Sequence, residues 1–398
     1  MLLPLQAQYA GQPDYDLALA VAATDSGRPN LATFALERLV VMQPNNLAAR
    51  LELVRAYLAL HDHERAEREL RFILDADPPA EVRALAAQYQ ARVRDARPAS
   101  AAGWSGYAEA GFGYDTNANV ATAQGSVFVP SLGTQLILDR AFVRDRDAFA
   151  ELSAGAEYAY PLSDTLAALV GAGLRLRSYA ELDTFDSRDA DVRVGLHQRL
   201  GLQDGIEYSL RHDDFELDHA GYRRMQSAAA EWRRTFGDRA RVSIGAQGYR
   251  IRYRQEDAQA SDSNLLALSA GAAWMLDRAR RSVGLVGIAA GSDDAVAGRA
   301  DGDRRLYGAS AGLQHALAPH VAGYANVALL ASRYRTPNPD FGVRRRDRQL
   351  DLSLGASWEL APGWFLRPQL TRTRNDSNIA VHEYRRTEAS LSLRREWQ

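Results

Sequence analysis

The sequence contains no cysteine and no lysine. The lack of cysteine excludes disulfides and thiolate metal sites within the chain. All 48 basic residues are arginine, and 50 acidic residues offset them to a formal net charge of −2. This balance gives the chain as a whole no electrostatic attraction to nucleic acid. We therefore predict no nucleic-acid partner and expect any role of charge to be local.

Long hydrophobic runs are also missing. The sequence has no stretch of about 18 or more apolar residues, so it offers no transmembrane helix. Membrane-spanning β-strands stay open, because they alternate apolar and polar side chains. The start of the chain, residues 1–10 (MLLPLQAQYA), resembles the end of a signal peptide's apolar region and equally fits an ordinary terminus.

Residues 11–97 repeat themselves with a period of about 34 residues, which is the period of the tetratricopeptide repeat (TPR). We predict two TPR-like repeats followed by a helix near 79–95, and then a linker of small residues at 98–103. Small alanines let paired helices approach, and prolines stop them. Such a solenoid is either a scaffold or a docking surface for a peptide. The predicted packing residues are Leu19, Ala32, Leu36, Pro44, Leu53, Tyr57, Ala66, Leu70 and Pro78.

From residue 104 to residue 398 the apolar period changes from 3.6 to 2, which indicates β-strands. Tight turns such as LAPG (360–363) alternate with longer polar loops such as RTPNPDFGVRRRD (335–347). This alternation is typical of an outer-membrane barrel. Fourteen candidate strands lie at 104–115, 148–160, 166–179, 189–200, 205–215, 222–236, 240–254, 264–276, 282–290, 304–316, 321–334, 346–360, 364–374 and 384–397.

The predicted fold class is therefore α+β and multidomain, with an N-terminal α-helical TPR-like solenoid followed by a 14-stranded antiparallel transmembrane β-barrel. A membrane barrel turns its apolar side chains toward lipid and places charged ones in the lumen. Either the lumen arginines line a path for an anionic polymer, as Arg250, Arg252 and Arg254 could also do, or they pair with carboxylates such as Glu151, Glu157, Asp191 and Glu207. The candidate lumen residues are Arg175, Arg177, Arg193 and Arg199.

Aromatic residues near the predicted strand ends are expected to form girdles at the lipid headgroups. They are Trp104, Tyr158, Tyr160, Trp232, Trp274, Trp358, Trp364 and Trp397. The last strand places Leu391, Leu393 and Trp397 on one face, as in the C-terminal signal that barrel-assembly machinery reads.

The stretch GFGYDTNANV (111–120) closes the first strand and opens the first long loop. Its distinctive residues are Tyr114, Asp115, Asn117 and Asn119. Because Asn and Asp tolerate left-handed backbone conformations, we expect them to form the turn there.

Two TPR-like repeats, a small-residue linker, YDTNAN (114–119) and SNIAVHEYRRTEASLSLR (377–394) together resemble the surface lipoprotein assembly modifier (Slam) family. The resemblance implies a translocator in the outer membrane of a Gram-negative bacterium, with its helical domain in the periplasm and no cofactor. The implied partners are a client surface lipoprotein or secreted protein, outer membrane lipids and the barrel-assembly machinery. An exopolysaccharide export porin and a passive porin are the alternatives.

Catalytic motifs are absent from the sequence: we find no Ser-His-Asp order, nucleophile elbow, phosphate loop or HExxH, and we predict no enzymatic activity. The group His212, Asp213, Asp214 and His219 near one loop could bind a cation or be ordinary rim residues. The basic stretch FGVRRRDR (341–348) could contact anionic surface glycans or simply be solvated.

Overall fold

The structure, a computed structural model, describes residues 9, 11–60, 62–76, 78–96, 102–201, 203–237, 239–277 and 281–397. The chain divides into two compact units, Met1–Ala101 and Ala102–Gln398. Most of segment 1–10 and most of the predicted linker 98–103 lie outside the described residues. Gly103, which we assigned to the linker, is the first residue of a strand.

Five α-helices form the described part of the first unit: α1 (Pro13–Asp25), α2 (Pro29–Met42), α3 (Leu47–Ala59), α4 (His63–Asp75) and α5 (Ala80–Ala96). Proline opens α1 and α2, where its missing N–H costs nothing. Asn46 and Asp62 cap α3 and α4 by accepting hydrogen bonds from the backbone N–H groups of Ala49 (3.0 Å) and Arg65 (3.1 Å). Local sequence signals thus set where these helices begin.

The predicted packing positions of the repeats meet in one hydrophobic core. Leu19, Ala32, Leu36, Leu53, Tyr57, Ala66 and Leu70 are all buried in it. Pro44 is an exception, because it is exposed and contributes to the turn after α2 instead. Its carbonyl accepts a hydrogen bond from Arg50 Nε (2.7 Å), and the buried Pro78 accepts one from Arg83 in the same way (3.2 Å). The two prolines therefore end equivalent helices with equivalent arginine contacts.

Among the described residues, no helix has the length and apolarity needed to cross a membrane.

The described part of the second unit consists of β-strands joined by turns, loops and short 3-10 helices. In chain order the strands are β1 (Gly103–Asp115), β2 (Ser126–Val129), β3 (Thr134–Ile137), β4 (Asp147–Pro161), β5 (Leu166–Tyr179), β6 (Ser187–Arg199), β7 (Asp204–Leu217), β8 (Ala220–Phe236), β9 (Ala240–Tyr253), β10 (Ser263–Met275), β11 (Ser282–Ala295), β12 (Arg304–Ala318), β13 (Val321–Pro337), β14 (Arg344–Ala361), β15 (Trp364–Ser377) and β16 (Tyr384–Trp397).

Fourteen of these strands form a closed antiparallel barrel in sequence order, in which β1 pairs with both β4 and β16. The predicted fold class is confirmed. The largest difference in strand ends is at β11, which we predicted to stop at residue 290 and which continues to Ala295. The pairing of β11 with β10 continues through the polar residues Asp293 and Asp294. The alternation of apolar and polar residues, from which we predicted the strand, ends before them. The remaining two strands, β2 and β3, form a hairpin inside the first long loop that the sequence did not predict.

The outer surface of the barrel is apolar. Phe112, Leu152, Val170, Leu210 and Leu268 are each more than half exposed although they lie on paired strands. An exposed apolar belt of this extent on a closed barrel is the surface of a membrane-spanning barrel rather than of a soluble one.

Replacement of Leu36 by alanine tests the helical core. Leu36 is fully buried, so the cavity should lower the free energy of unfolding of the helical unit by about 2–5 kcal/mol. The measurement is a urea titration of the full-length protein in detergent, followed by helical circular dichroism. Val41→Ala on the same helix is the control, because Val41 is 80% exposed and its change should stay within about 0.5 kcal/mol. Equal shifts for the two variants would contradict this core.

Candidate functional site

Ion pairs between side chains on non-neighbouring strands show which face of the barrel wall lines the lumen. Arg177 on β5 contacts Glu151 on β4 (2.7 Å) and Glu388 on β16 (3.0 Å). Since β4 and β1 lie between β5 and β16, the contact between Arg177 and Glu388 runs across the concave side of the wall. Residues that share the face of Arg177 therefore line the inside of the barrel.

A second lumen cluster surrounds Glu109 on β1. Its carboxylate accepts hydrogen bonds from Arg367 on β15 (2.9 Å), from Arg394 on β16 (3.2 Å) and from the Ser392 hydroxyl. The guanidinium of Arg394 also lies over the ring of Tyr107, 3.8 Å from its centroid. These residues were not predicted from the sequence, because alternation shows which side chains share a face but not which distant ones meet.

The arginines that we predicted for the lumen lie on inward faces and contact acceptors. Arg177 and Arg175 share Glu151, with Arg175 at 3.7 Å, and Arg193 pairs with Glu157. The fourth, Arg199, donates to the backbone carbonyl of Asp164 (2.8 Å) near a tight turn. The carboxylates Asp191 and Glu207 contact Arg211 (3.3 Å) and Arg233 (3.0 Å). The lumen arginines are thus largely neutralised by neighbouring acids.

The directions in which the side chains point contradict two other hypotheses drawn from the sequence. Arg250, Arg252 and Arg254 do not line the lumen: Arg250 and Arg252 share the outward face of β9 with Ile244, and Arg254 contacts the outward-facing Asp214. Strand alternation also divides the candidate cation group on β7. Asp213 faces inward and is buried, whereas its neighbours His212 and Asp214 face outward.

At the long-loop end of the lumen, Asp115 joins three strands. Its buried carboxylate accepts hydrogen bonds from Arg386 Nε on β16 (2.8 Å), from the Tyr179 hydroxyl on β5 (3.2 Å) and from the backbone N–H of Asn117 (2.9 Å). Arg386 in turn contacts Glu388 (2.8 Å), so this cluster continues into the one around Arg177. The last residue of β1 therefore fixes the mouth of the barrel.

The first long loop, residues 116–146, is held along the mouth by polar contacts. Asn117 Nδ2 donates to the carbonyls of Ala121 (2.9 Å) and Arg385 (3.0 Å), and Asn119 Nδ2 donates to that of Val143 (2.7 Å). The left-handed residue that follows Asn119 is Val120 (φ 51°), so our expectation that Asn or Asp would take that conformation is wrong. The two asparagines hold the loop through their side-chain amides instead.

The same loop reaches two distant connections. The Thr122 hydroxyl donates to the carbonyl of Ala380 in the β15–β16 connection (3.2 Å). Ser131, at the turn of the β2–β3 hairpin, donates its backbone N–H to the carbonyl of Asp340 in the β13–β14 connection (2.9 Å). The loop thus extends from β1 past β16 and β15 along the rim of the barrel.

A further buried cluster occupies the mouth near β11–β14. Asp293 is fully buried and contacts Arg299 (3.0 Å) and Arg304 (2.6 Å). Arg304 also donates to the Tyr334 hydroxyl (3.1 Å), and the guanidinium of Arg345 lies 4.8 Å from the Tyr334 ring centroid. Acids and arginines therefore alternate around this side of the mouth as they do around Asp115.

The wall formed by β9–β13 has a different character. A cavity of about 430 Å³ lies against it, lined on the inward face mainly by small or uncharged residues that include Ser243, Gly271, Leu285, Ser310, Gly312 and Asn326. The charged clusters around Arg177 and Glu109 lie on the other side of the strand order. Apart from Arg241 and the Asp293 cluster at the mouth, the β9–β13 side of the lumen is nearly neutral, whereas the other side is charged.

The predicted aromatic residues lie on outward faces at the end of the barrel that carries the tight turns. Trp104 and Tyr158 stack there with ring centroids 5.0 Å apart, and Tyr160, Trp274, Trp358, Trp364 and Trp397 are exposed. Leu391, Leu393 and Trp397 share the outward face of β16, and Tyr114 lies outward near the opposite end. Among the described residues, the predicted aromatic side chains thus form a girdle at the short-turn end.

Comparisons with known proteins give one family match and several distant structural likenesses. The tetratricopeptide repeat family matches residues 23–89. A loop-deletion mutant of the outer membrane protein OmpT of Vibrio cholerae is 11% identical, with a TM-score of 0.43, covering 75% of this chain and 100% of that chain. A bacterial polysaccharide outer membrane secretin is 10% identical (TM-score 0.41; 73% and 98% covered), and an anion-selective porin from Comamonas acidovorans is 8% identical (TM-score 0.41; 75% and 99% covered). No curated protein matches the chain.

The closed barrel, its lipid-facing belt and its charged lumen define an outer-membrane type of β-barrel. The chain joins this barrel to a helical TPR unit.

Replacement of Asp115 by alanine tests the mouth cluster. The change removes the buried partner of Arg386, which then retains Glu388 as its acidic partner, and it removes the acceptor for the Asn117 N–H. We expect trypsin to cleave the first long loop at Arg140, Arg144 or Arg146 markedly faster than in the wild type. Asp376→Ala is the control, because Asp376 is an exposed acid paired only with Arg374. Unchanged cleavage of the Asp115 variant would show that the cluster does not hold the loop.

The pH behaviour of His382, in the β15–β16 connection, gives a second test. Burial and the positive charge of Arg345 lower the pKa of His382 to about 4, against the opposing charges of Asp347 and Asp301. The unfolded chain binds this proton near pH 6.5, so between about pH 6.5 and 4 the stability of the mouth should rise with pH. An NMR titration, assigned with His382→Gln, should place the ring midpoint near pH 4; a midpoint above 6 would contradict this burial.

Proposed function

We propose that this protein is an outer-membrane translocator that helps deliver client lipoproteins or secreted proteins to the cell surface. The observation that carries the proposal is the union, in one chain, of a TPR unit with a membrane-type barrel. TPR solenoids commonly present a surface for a peptide, whereas passive diffusion through a barrel needs no such surface. The likeness of residues 114–119 and 377–394 to the Slam family supports the same function.

The helical unit offers a surface for an unfolded client. Phe34 and Val41 on α2 are 71% and 80% exposed, and Met42 and Phe72 are also exposed. Large apolar side chains left in water suit contact with hydrophobic segments of another chain. The proposed role of the helical unit is to engage the client before it reaches the barrel.

The lengths of the connections support the proposed orientation. Short turns of outer-membrane barrels face the periplasm, and long loops face the outside. Since β1 begins at the short-turn end, the segment that precedes it enters from that side, and we assign the helical unit to the periplasm. The loops held around Asp115 then form the outer mouth.

The alternatives fit the lumen less well. Export of an anionic polysaccharide needs a path of arginines free to attract the polymer, but Arg175, Arg177 and Arg193 contact lumen acids. A passive porin would not need the peptide-binding surface that a TPR unit commonly presents. Both alternatives remain as distinct outcomes of the test below.

The test is surface delivery in cells. The gene is expressed in a Gram-negative host together with any lipoprotein encoded next to it, and surface exposure is measured by antibody labelling of intact cells. We expect labelling to require the barrel and to fall several-fold in the Phe34→Ser, Val41→Ser double variant, which leaves the buried core intact.

Asn30→Ala is the matched control for the double variant, since Asn30 is an exposed polar residue of the same helix. Labelling that is the same with and without the barrel would contradict the proposed translocator function. Single-channel conductance of the purified protein would then separate a passive pore from polymer export.

A further inference from the structure

Four arginines gather on the outside of the barrel, at the end that carries the long loops. Arg372 on β15 and Arg385 on β16 lie on the lipid-facing side of their strands, and Arg144 and Arg146 come from the end of the first long loop. Together with Tyr114 they line a cleft of about 560 Å³. We call this site the arginine cleft.

The arginine cleft is short of negative charge. All four guanidinium groups are exposed, and within the described part of the chain none of them has a side-chain partner. Asp145 is the acid that lies in the cleft, and Arg140 approaches it from outside at 3.7 Å. The cleft therefore carries a net positive charge that the protein itself does not neutralise.

Strand register brings further arginines together on the same surface. Arg385 lies directly opposite Arg374, and a row of arginines crosses three neighbouring strands in which Arg305 faces Arg333 and Arg333 faces Arg346. Like charges placed directly opposite each other destabilise a sheet. Arg374 is paired with Asp376, whereas no described acid pairs with Arg385, so an anion bound in the cleft would offset the positive charge around Arg385.

The position of the cleft specifies what kind of anion can reach it. Toward the middle of the barrel, the next lipid-facing residues on the same strands are apolar. They are Phe112 after Tyr114 on β1, Leu370 after Arg372 on β15 and Ala389 after Thr387 on β16. Phe112 is 66% exposed, and the aromatic girdle lies at the opposite end of the barrel. A ligand held here would place its charged part among the arginines and its apolar part against the belt, as a membrane lipid does.

We propose that the arginine cleft binds the phosphate groups of a phosphorylated glycolipid in the outer leaflet. Arginine binds phosphate with paired, charge-assisted hydrogen bonds. Two of the lining arginines come from the loop and two from the strands, and the volume suits a ligand of the size of a drug rather than a single phosphate. Thr116 and Asp145 supply polar groups for sugar hydroxyls. The assignment to the outer leaflet rests on the orientation given with the proposed function.

The test is lipid binding to the full-length protein in nonionic detergent, measured by native mass spectrometry with bisphosphorylated lipid A as the probe. We expect the Arg372→Gln, Arg385→Gln double variant to bind at least tenfold more weakly than the wild type. Lipid A without phosphates should also bind at least tenfold more weakly. Heat-modifiable gel mobility verifies that each variant is folded.

Arg250→Gln, Arg252→Gln is the matched control, because it removes two outward arginines on β9, away from the cleft. Its binding should stay within twofold of the wild type; an equal loss would show general charge attraction and overturn the site. Equal binding of phosphatidylglycerol would overturn the glycolipid, and displacement by millimolar inorganic phosphate would indicate a free-anion site instead. The measurement uses no client, so its outcome is independent of surface delivery.

Discussion

The structure depends on the pairing of its first and last barrel strands. Backbone N–H and C=O groups that face lipid must be satisfied within the protein, because hydrocarbon offers no partners. The register from Gly106 opposite Trp397 to Asp115 opposite Glu388 joins β1 to β16 and leaves no free edge in the barrel. This pairing also brings Asp115 beside Arg386, so the contact that closes the wall supplies the acceptor that holds the first long loop.

Closure creates an interior in which charge is tolerated. Arg177 with Glu388 and Arg367 with Glu109 connect strands that are far apart in the sequence. A charge that loses part of its hydration is stabilised only when it is paired, so these contacts come as pairs and networks. The wall formed by β9–β13 lies on the other side of the lumen from these networks and is nearly neutral. The lumen thus has two sides with different chemistry.

The outer surface differs between the two ends of the barrel. Aromatic side chains such as Trp104 and Trp358 form the border at the short turns, where their amphipathic rings suit lipid headgroups. Arginines such as Arg372 and Arg385 form the border at the long loops. The two rims of the barrel thus differ in the side chains that they carry.

The sequence by itself determined the elements: the TPR period, the strands with alternating side chains and the order of short turns and long loops, because these follow from local patterns of neighbouring residues. It did not determine which residues meet. Arg250 follows the same alternation as Arg177 but faces outward, and nothing local to Asn117 shows that its amide bonds to Arg385. Those contacts exist only once the barrel has closed, because closure decides which face becomes the lumen and which distant strand ends share the mouth.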